Sequence, residues 1–124
     1  MDFPPIADYA FLSDCEVSAL IAPNGSVEWL CLPRPDAPSV FGAILDRSAG
    51  SFRFGPTNTT VPHQRRYLPG TLAMETTWHT PTGWMTVQDL LVVGPVTDER
   101  REGYRRSPGD AMAQRMLLRI ATCF

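Results

Sequence analysis

The sequence predicts a mainly β fold, an antiparallel β-sandwich with one short helix, and three observations carry that prediction. Twelve prolines and nine glycines among 124 residues break helices and favour many short extended segments. Two stretches, Val17 to Leu32 and Thr71 to Val93, each set β-prone residues on both sides of a turn signal. The composition, 44% apolar and 19% charged with a mean hydropathy of -0.12, belongs to a chain that can bury a core. At this length roughly two-thirds of the unfolded surface can be buried, which fits one domain.

The first hairpin pairs Val17 to Ala22 with Ser26 to Leu32 around Pro23-Asn24-Gly25, because Asn-Gly tolerates the positive φ of a tight turn. Strict alternation on the second arm puts Val27, Trp29 and Cys31 on one face and Glu28, Leu30 and Leu32 on the other, so only Glu28 needs solvent or a partner. The stretch Pro33-Arg34-Pro35-Asp36-Ala37-Pro38 is too rich in proline for a strand or helix and reads as a loop. Ser39 then caps the predicted helix, Val40 to Leu45, with Asp46 and Gly50 near its end. Ser51 to Phe54 reads as a strand with Phe52 and Phe54 on one face.

The second hairpin runs from Thr71 to Thr80, turns at Pro81-Thr82-Gly83 and returns from Trp84 to Val93. Leu72, Met74, Thr76 and Trp78 share one face of the first arm. Met85, Val87, Leu91 and Val93 share a face of the second with Asp89, a carboxylate that then needs a hydrogen-bonded partner. From Pro95 to Asp110 the chain is polar, and residues 98 to 106 hold three acids and four arginines, a solvated loop or linker. The tail is open on its own residues. A helix capped by Asp110 would carry Met112, Met116, Leu117 and Ile120, whereas a strand from Arg115 to Phe124 would face Met116, Leu118 and Ile120 one way.

Charge and motifs exclude several classes of function. Eleven basic residues, all arginine, and thirteen acids leave a formal charge of -2, which is no nucleic-acid-binding face. No apolar run approaches a membrane span, and Met1-Asp2-Phe3-Pro4-Pro5 lacks the pattern of a signal peptide, so a cytoplasmic location with no membrane partner is expected. Cys15, Cys31 and Cys123 are odd in number and widely spaced, and are expected to be reduced and buried. With His63 and His79 outside any ligand motif, neither a metal nor another cofactor is expected, and both are read as surface or sheet-face histidines. No nucleophile elbow, Cys/His signature or phosphate-binding loop occurs.

The segment from Trp29 to Phe41 asks for a reason. A strand delivers an aromatic, the guanidinium of Arg34 and the carboxylate of Asp36 to a proline-stiffened loop, a combination suited to stacking on and hydrogen-bonding a sugar. The alternative is that Arg34 and Asp36 pair with each other or with a neighbouring domain.

These residues also carry a resemblance. Phe3 to Asp14, the block from Asn24-Gly25-Ser26 through Trp29, Arg34, Asp36 and Ser39-Val40-Phe41 to Asp46, then Tyr67-Leu-Pro-Gly70-Thr and Glu75-Thr-Thr resemble the amino-terminal region of glycoside hydrolase family 15, nearest its bacterial α,α-trehalase and glucoamylase-like branch. Pro35 stands where that family more often has an aromatic, and Ala37 where it often has serine. The resemblance implies a β-sandwich preceding an (α/α)6 barrel whose two glutamates perform inverting hydrolysis, general acid and general base set far enough apart to hold a water. None of Glu16, Glu28, Glu75, Glu99 or Glu102 matches the barrel motifs, so no catalytic residue is expected in this chain. It further implies that residues 1–124 are part of a longer sandwich, that Met116 to Cys123 is a strand, and that an exposed sheet edge invites self-association.

Two functional readings follow. In the first the chain is the non-catalytic front segment of a trehalose- or other α-glucoside-hydrolysing enzyme, inactive alone, packed on the barrel of the same polypeptide. Its loop would then reach the active-site rim, with Trp29, Arg34, Asp36 and Ser39 as rim or interface residues. In the second it is a free-standing module that binds carbohydrate or protein, which an exposed row formed by Trp29, Trp78 and Trp84 would favour.

Overall fold

A computed structural model of the protein describes residues 2–93 and 115–124. The polar stretch Pro95 to Asp110 and the helix start at Asp110 lie outside them. A single 3-10 turn, Ile6–Asp8, precedes the strands β1 (Ala10–Ser13), β2 (Ser18–Ile21), β3 (Ser26–Cys31), β4 (Ser39–Phe41) and β5 (Phe52–Arg53). Then come β6 (Gln64–Tyr67), β7 (Met74–Thr80), β8 (Gly83–Leu91) and β9 (Leu117–Cys123). Two antiparallel sheets result: sheet A in the order β1-β2-β3-β4 with β5 also on β3, and sheet B in the order β6-β7-β8-β9.

The sheets face each other across one core. Ala10, Leu12, Ala19, Ile21, Val27 and Leu30 of sheet A meet Met74 and Leu91 of sheet B, with Leu32, Phe41 and Leu117 packed at the margin. Trp78 fills the far end with no exposed surface. Its ring lies against glycines: a Cβ at Gly25 would come within 3.2 Å of Trp78 Cζ2 and 2.8 Å of the Phe54 carbonyl oxygen. Gly25 also has a φ of 83°, so the turn predicted at Asn24-Gly25 requires glycine on both counts.

Two arginines from the edge strands of sheet B cross to sheet A. Arg119, opposite Asp89 in the β8–β9 register, donates to Asp89 Oδ1 at 2.6 Å and to the carbonyls of Phe52 and Gly25 at 2.7 and 2.6 Å. Its guanidinium also lies over the rings of Phe52 and Phe54. Both members of this ion pair are almost wholly buried, which is the partner the sequence required for Asp89. On the opposite side Arg65 donates to the carbonyls of Asp8 and Ile21.

Several sequence expectations are corrected. The helix predicted over Val40 to Leu45 is absent: Ser39–Phe41 instead forms β4, because the free edge of β3 offers Leu30 and Cys31 as partners for Phe41 and Ser39. Strict alternation along β3 also fails. Ile21 pairs with Val27 but Leu20 with Trp29, so Glu28 is an extra, bulged residue, and Val27 and Leu30 both reach the core while Trp29 turns outward. Leu72 and Val93 lie outside β7 and β8 and are exposed. The tail, by contrast, is the strand that the resemblance implied, Leu117–Cys123 paired with β8, with Met116, Leu118 and Ile120 all exposed. Of the cysteines, all reduced, Cys31 is buried while Cys15 and Cys123 are exposed.

Candidate functional site

Sheet A presents its outer face through residues that alternate with the core. Ala10 and Leu12 point inward, so Phe11 points out; it pairs with Leu20, which pairs with Trp29. These three side chains form one apolar row across three adjacent strands, spanning about 10 Å at the usual strand spacing. Phe11 is 43% exposed, and Leu20 and Trp29 are half-buried. Ser39, exposed at the start of β4, pairs with Cys31 two residues beyond Trp29, across a register shift at Leu30 and Cys31.

Between β3 and β4 the loop opens with a cis Leu32–Pro33 bond and turns where the Ala37 amide donates to the Arg34 carbonyl. Arg34 grips Asp36 through two parallel bonds, Nε to Oδ1 at 3.0 Å and Nη2 to Oδ2 at 2.7 Å. With side chains 70% and 68% exposed, this pair is solvated and contributes little to folding, and both groups retain surface for a ligand or a neighbouring domain. Of the four residues singled out by sequence, the structure thus sets Trp29 on β3 and Ser39 on the adjacent β4 and joins Arg34 to Asp36 in the loop between these strands.

Sequence reasoning missed the cluster that anchors the chain on both sides of this face. Glu28 is 1% exposed. It accepts from Arg47 Nη1 and Nη2, each at 2.7 Å, and from the Tyr9 hydroxyl at 2.5 Å. Arg47 in turn lies over the Phe3 ring at 5.2 Å. Burial alone would raise the Glu28 pKa, but the bonds from Arg47 and Tyr9 outweigh it and hold the carboxyl below its ordinary range. Burial, with the bond to Glu28, pushes the Tyr9 phenol up to about 12. The only sequence signal was that Glu28 sat among apolar neighbours; Arg47 and Tyr9 are each 19 residues away from it.

The remaining tryptophans, both on sheet B, do not continue the row at Trp29. Trp78 is core, and Trp84 is stacked on His79 at 4.4 Å with His63 against it edge-on at 5.0 Å. Both histidines are exposed beside the sheet, as expected. Two open clefts, about 500 Å³ beside Tyr9, Arg65 and Tyr67 and about 650 Å³ beside Asn58, Thr82 and Trp84, lie away from the Pro33 to Pro38 loop. Among the described residues no group of three or more His, Cys, Asp or Glu is arranged to hold a metal ion, and no helix is long and apolar enough to cross a membrane.

Comparison with known proteins decides the family. The model of the trehalase-like N-terminal domain matches residues 1–116. The chain belongs to this family. It is 65% identical over 123 residues to a trehalase of Mycobacterium tuberculosis and 62% identical over 123 residues to a trehalase of Mycolicibacterium smegmatis. Each match takes in 98% of this chain but 18% of the relative. Trehalase 1 of Sulfolobus acidocaldarius is 39% identical over 85 residues, 68% of this chain and 15% of that protein. No solved structure matches the present chain. This trehalase-like N-terminal domain therefore corresponds to less than a fifth of the curated relatives it matches.

Proposed function

We propose that this trehalase-like domain is the non-catalytic front segment of an α-glucoside hydrolase that cleaves trehalose. It packs against a catalytic (α/α)6 barrel in the same polypeptide and lends the Pro33 to Phe41 loop to the rim of that barrel's active site. The observation that carries this reading is the match itself, nearly end to end with trehalases more than five times as long. Glu28, Glu75 and Asp89 are each bonded to an arginine, which gives these three carboxylates a structural part. Arg34 and Asp36, exposed and already oriented by each other, supply a donor fork and an acceptor that match sugar hydroxyls. Trp29 and Ser39 support the loop at its two ends. The protein is cytoplasmic in this reading and acts without a cofactor bound to this domain.

The test is hydrolysis by the full-length protein and its Arg34→Ala variant. Loss of the rim contact raises KM for trehalose severalfold while kcat changes less, because the contact is made in both ground and transition states. Unchanged kinetic constants and unchanged stability remove Arg34 from the rim. A second consequence concerns residues 1–124 alone. Among the described residues β9 has no partner beyond β8 and exposes Leu118 and Ile120, with Phe124 exposed just after it, so the isolated chain self-associates through that edge. Sedimentation velocity over a concentration series reads this directly, and a monodisperse, cooperatively melting monomer contradicts it.

A further inference from the structure

We infer that the outer face of sheet A, anchored on the row Phe11–Leu20–Trp29, is the surface on which the rest of the polypeptide docks. The inference rests on the proposed two-domain reading and adds to it which of the sandwich's two outer faces is covered.

The two faces differ in chemistry over their central strands. Across sheet B, Arg66, Glu75 and Gln88 stand in register on β6, β7 and β8. They are joined by hydrogen bonds, Arg66 Nε to Glu75 Oε1 at 2.9 Å and Gln88 Nε2 to Glu75 Oε2 at 2.9 Å. Those three side chains satisfy one another's polar groups, and the row turns apolar only at the edge strand, where Ile120 of β9 stands opposite Gln88 and is 44% exposed. The row at the same place on sheet A has no polar atom except the indole N–H of Trp29, and Phe11 stands 43% exposed in it. An aromatic, an aliphatic and a second aromatic in register across three strands, followed along the chain by the exposed Arg34–Asp36 pair, have the make-up of an interface centre with a polar margin.

Length supplies the occupant. The relatives carry more than four-fifths of their residues outside the matched part, so in a protein of that size the partner is present in the same chain at high effective concentration. Docking there also sets the Pro33 to Pro38 loop against the partner, since the loop leaves β3 only two residues after Trp29.

The experiment replaces Phe11 by the photo-crosslinker p-benzoylphenylalanine in the full-length protein, with the same probe at Leu72, equally exposed at 43% in the β6–β7 connection, as the reference. After irradiation, mass spectrometry maps the joined peptides, and trehalose hydrolysis is assayed on the same preparation. The expected result is that position 11 joins a peptide C-terminal to Phe124 of the same molecule, at a yield unaffected by tenfold dilution and several times that from position 72. A crosslink to residues 94–114, one lost on dilution and so made to a second copy, or none at all overturns the inference. A crosslink to the later peptide in a protein inert toward α-glucosides keeps the docking surface and removes the hydrolase reading. An active enzyme with no such crosslink does the reverse.

Discussion

Two glutamates, one associated with each sheet, answer the same electrostatic need in different ways. Glu75, on the outer face of sheet B, is half-buried, and bonds from Gln88 and Arg66 lower its pKa. Glu28, displaced by the bulge in β3, is sealed from solvent and held by Arg47 and Tyr9, residues from beyond its own hairpin. The first is a surface carboxylate in a ladder that water can complete. The second is a buried charge that ties the segment before β1 and the loop after β4 to the strand leading into the Pro33 to Pro38 loop. Sheet B thus carries a paired polar ladder over β6, β7 and β8 and exposes apolar residues on its edge strand β9, whereas sheet A carries an apolar row over β1, β2 and β3.

The comparison depends on a frame that keeps the sheets face to face, and breaking that frame has the largest expected effect. Asp89→Ala leaves Arg119 buried without its carboxylate and is expected to destabilise by about 3–5 kcal/mol, read from native-state hydrogen exchange of the β7 and β8 amides in the full-length protein. Next comes Glu28→Gln, which keeps the shape but weakens the bonds to Arg47; a loss of about 2 kcal/mol is expected from the same exchange measurement. Glu75→Gln, the matched change on sheet B, is expected to cost under about 1 kcal/mol because its Arg66 partner is solvated. An equal effect at the two glutamates would abolish the distinction. Arg34→Ala sits at the bottom of the scale, within about 0.5 kcal/mol, so that any change in kinetics is free of a folding effect.

Proton linkage sharpens the same contrast. Glu28 has a folded pKa below its ordinary 4.5, so its contribution is full above that pH and is lost as pH falls through the lower folded value. Tyr9 runs the other way, its pKa raised from 10.0 to about 12, so its contribution is full below pH 10 and disappears as pH rises to about 12. Tyr9→Phe is expected to flatten the alkaline limb of a stability-versus-pH curve, and an unchanged limb would separate Tyr9 from Glu28.

Both hairpins were legible because their signals are local: Asn24-Gly25 and Pro81-Thr82-Gly83 mark turns, and Met74, Thr76 and Trp78 show the period of a half-buried strand. Asp89 was legible as a carboxylate on an apolar face, although its partner across the β8–β9 pairing was not. What local reading missed depends on distant partners. β1 is four residues, β6 reads Gln-Arg-Arg-Tyr with little β signal, and each becomes a strand because a neighbouring edge needs closing. β4 replaces a helix for the same reason. The bulge at Glu28 cannot be seen in a pattern of alternation, because one added residue reverses every assignment beyond it. For the candidate site, composition and resemblance single out Trp29, Arg34, Asp36 and Ser39 for the role proposed above, whereas the pairing of Arg34 with Asp36 was one of two open alternatives until the geometry was known.

The central claim is that these residues serve an enzyme whose chemistry lies elsewhere in the same polypeptide. Glucose release from trehalose, measured in parallel for the full-length protein and for residues 1–124, tests it most directly. The account predicts turnover by the full-length protein, retained in Glu75→Gln, and none by residues 1–124. Turnover by residues 1–124 alone, or a full-length protein inert toward trehalose and every other α-glucoside offered, would contradict it.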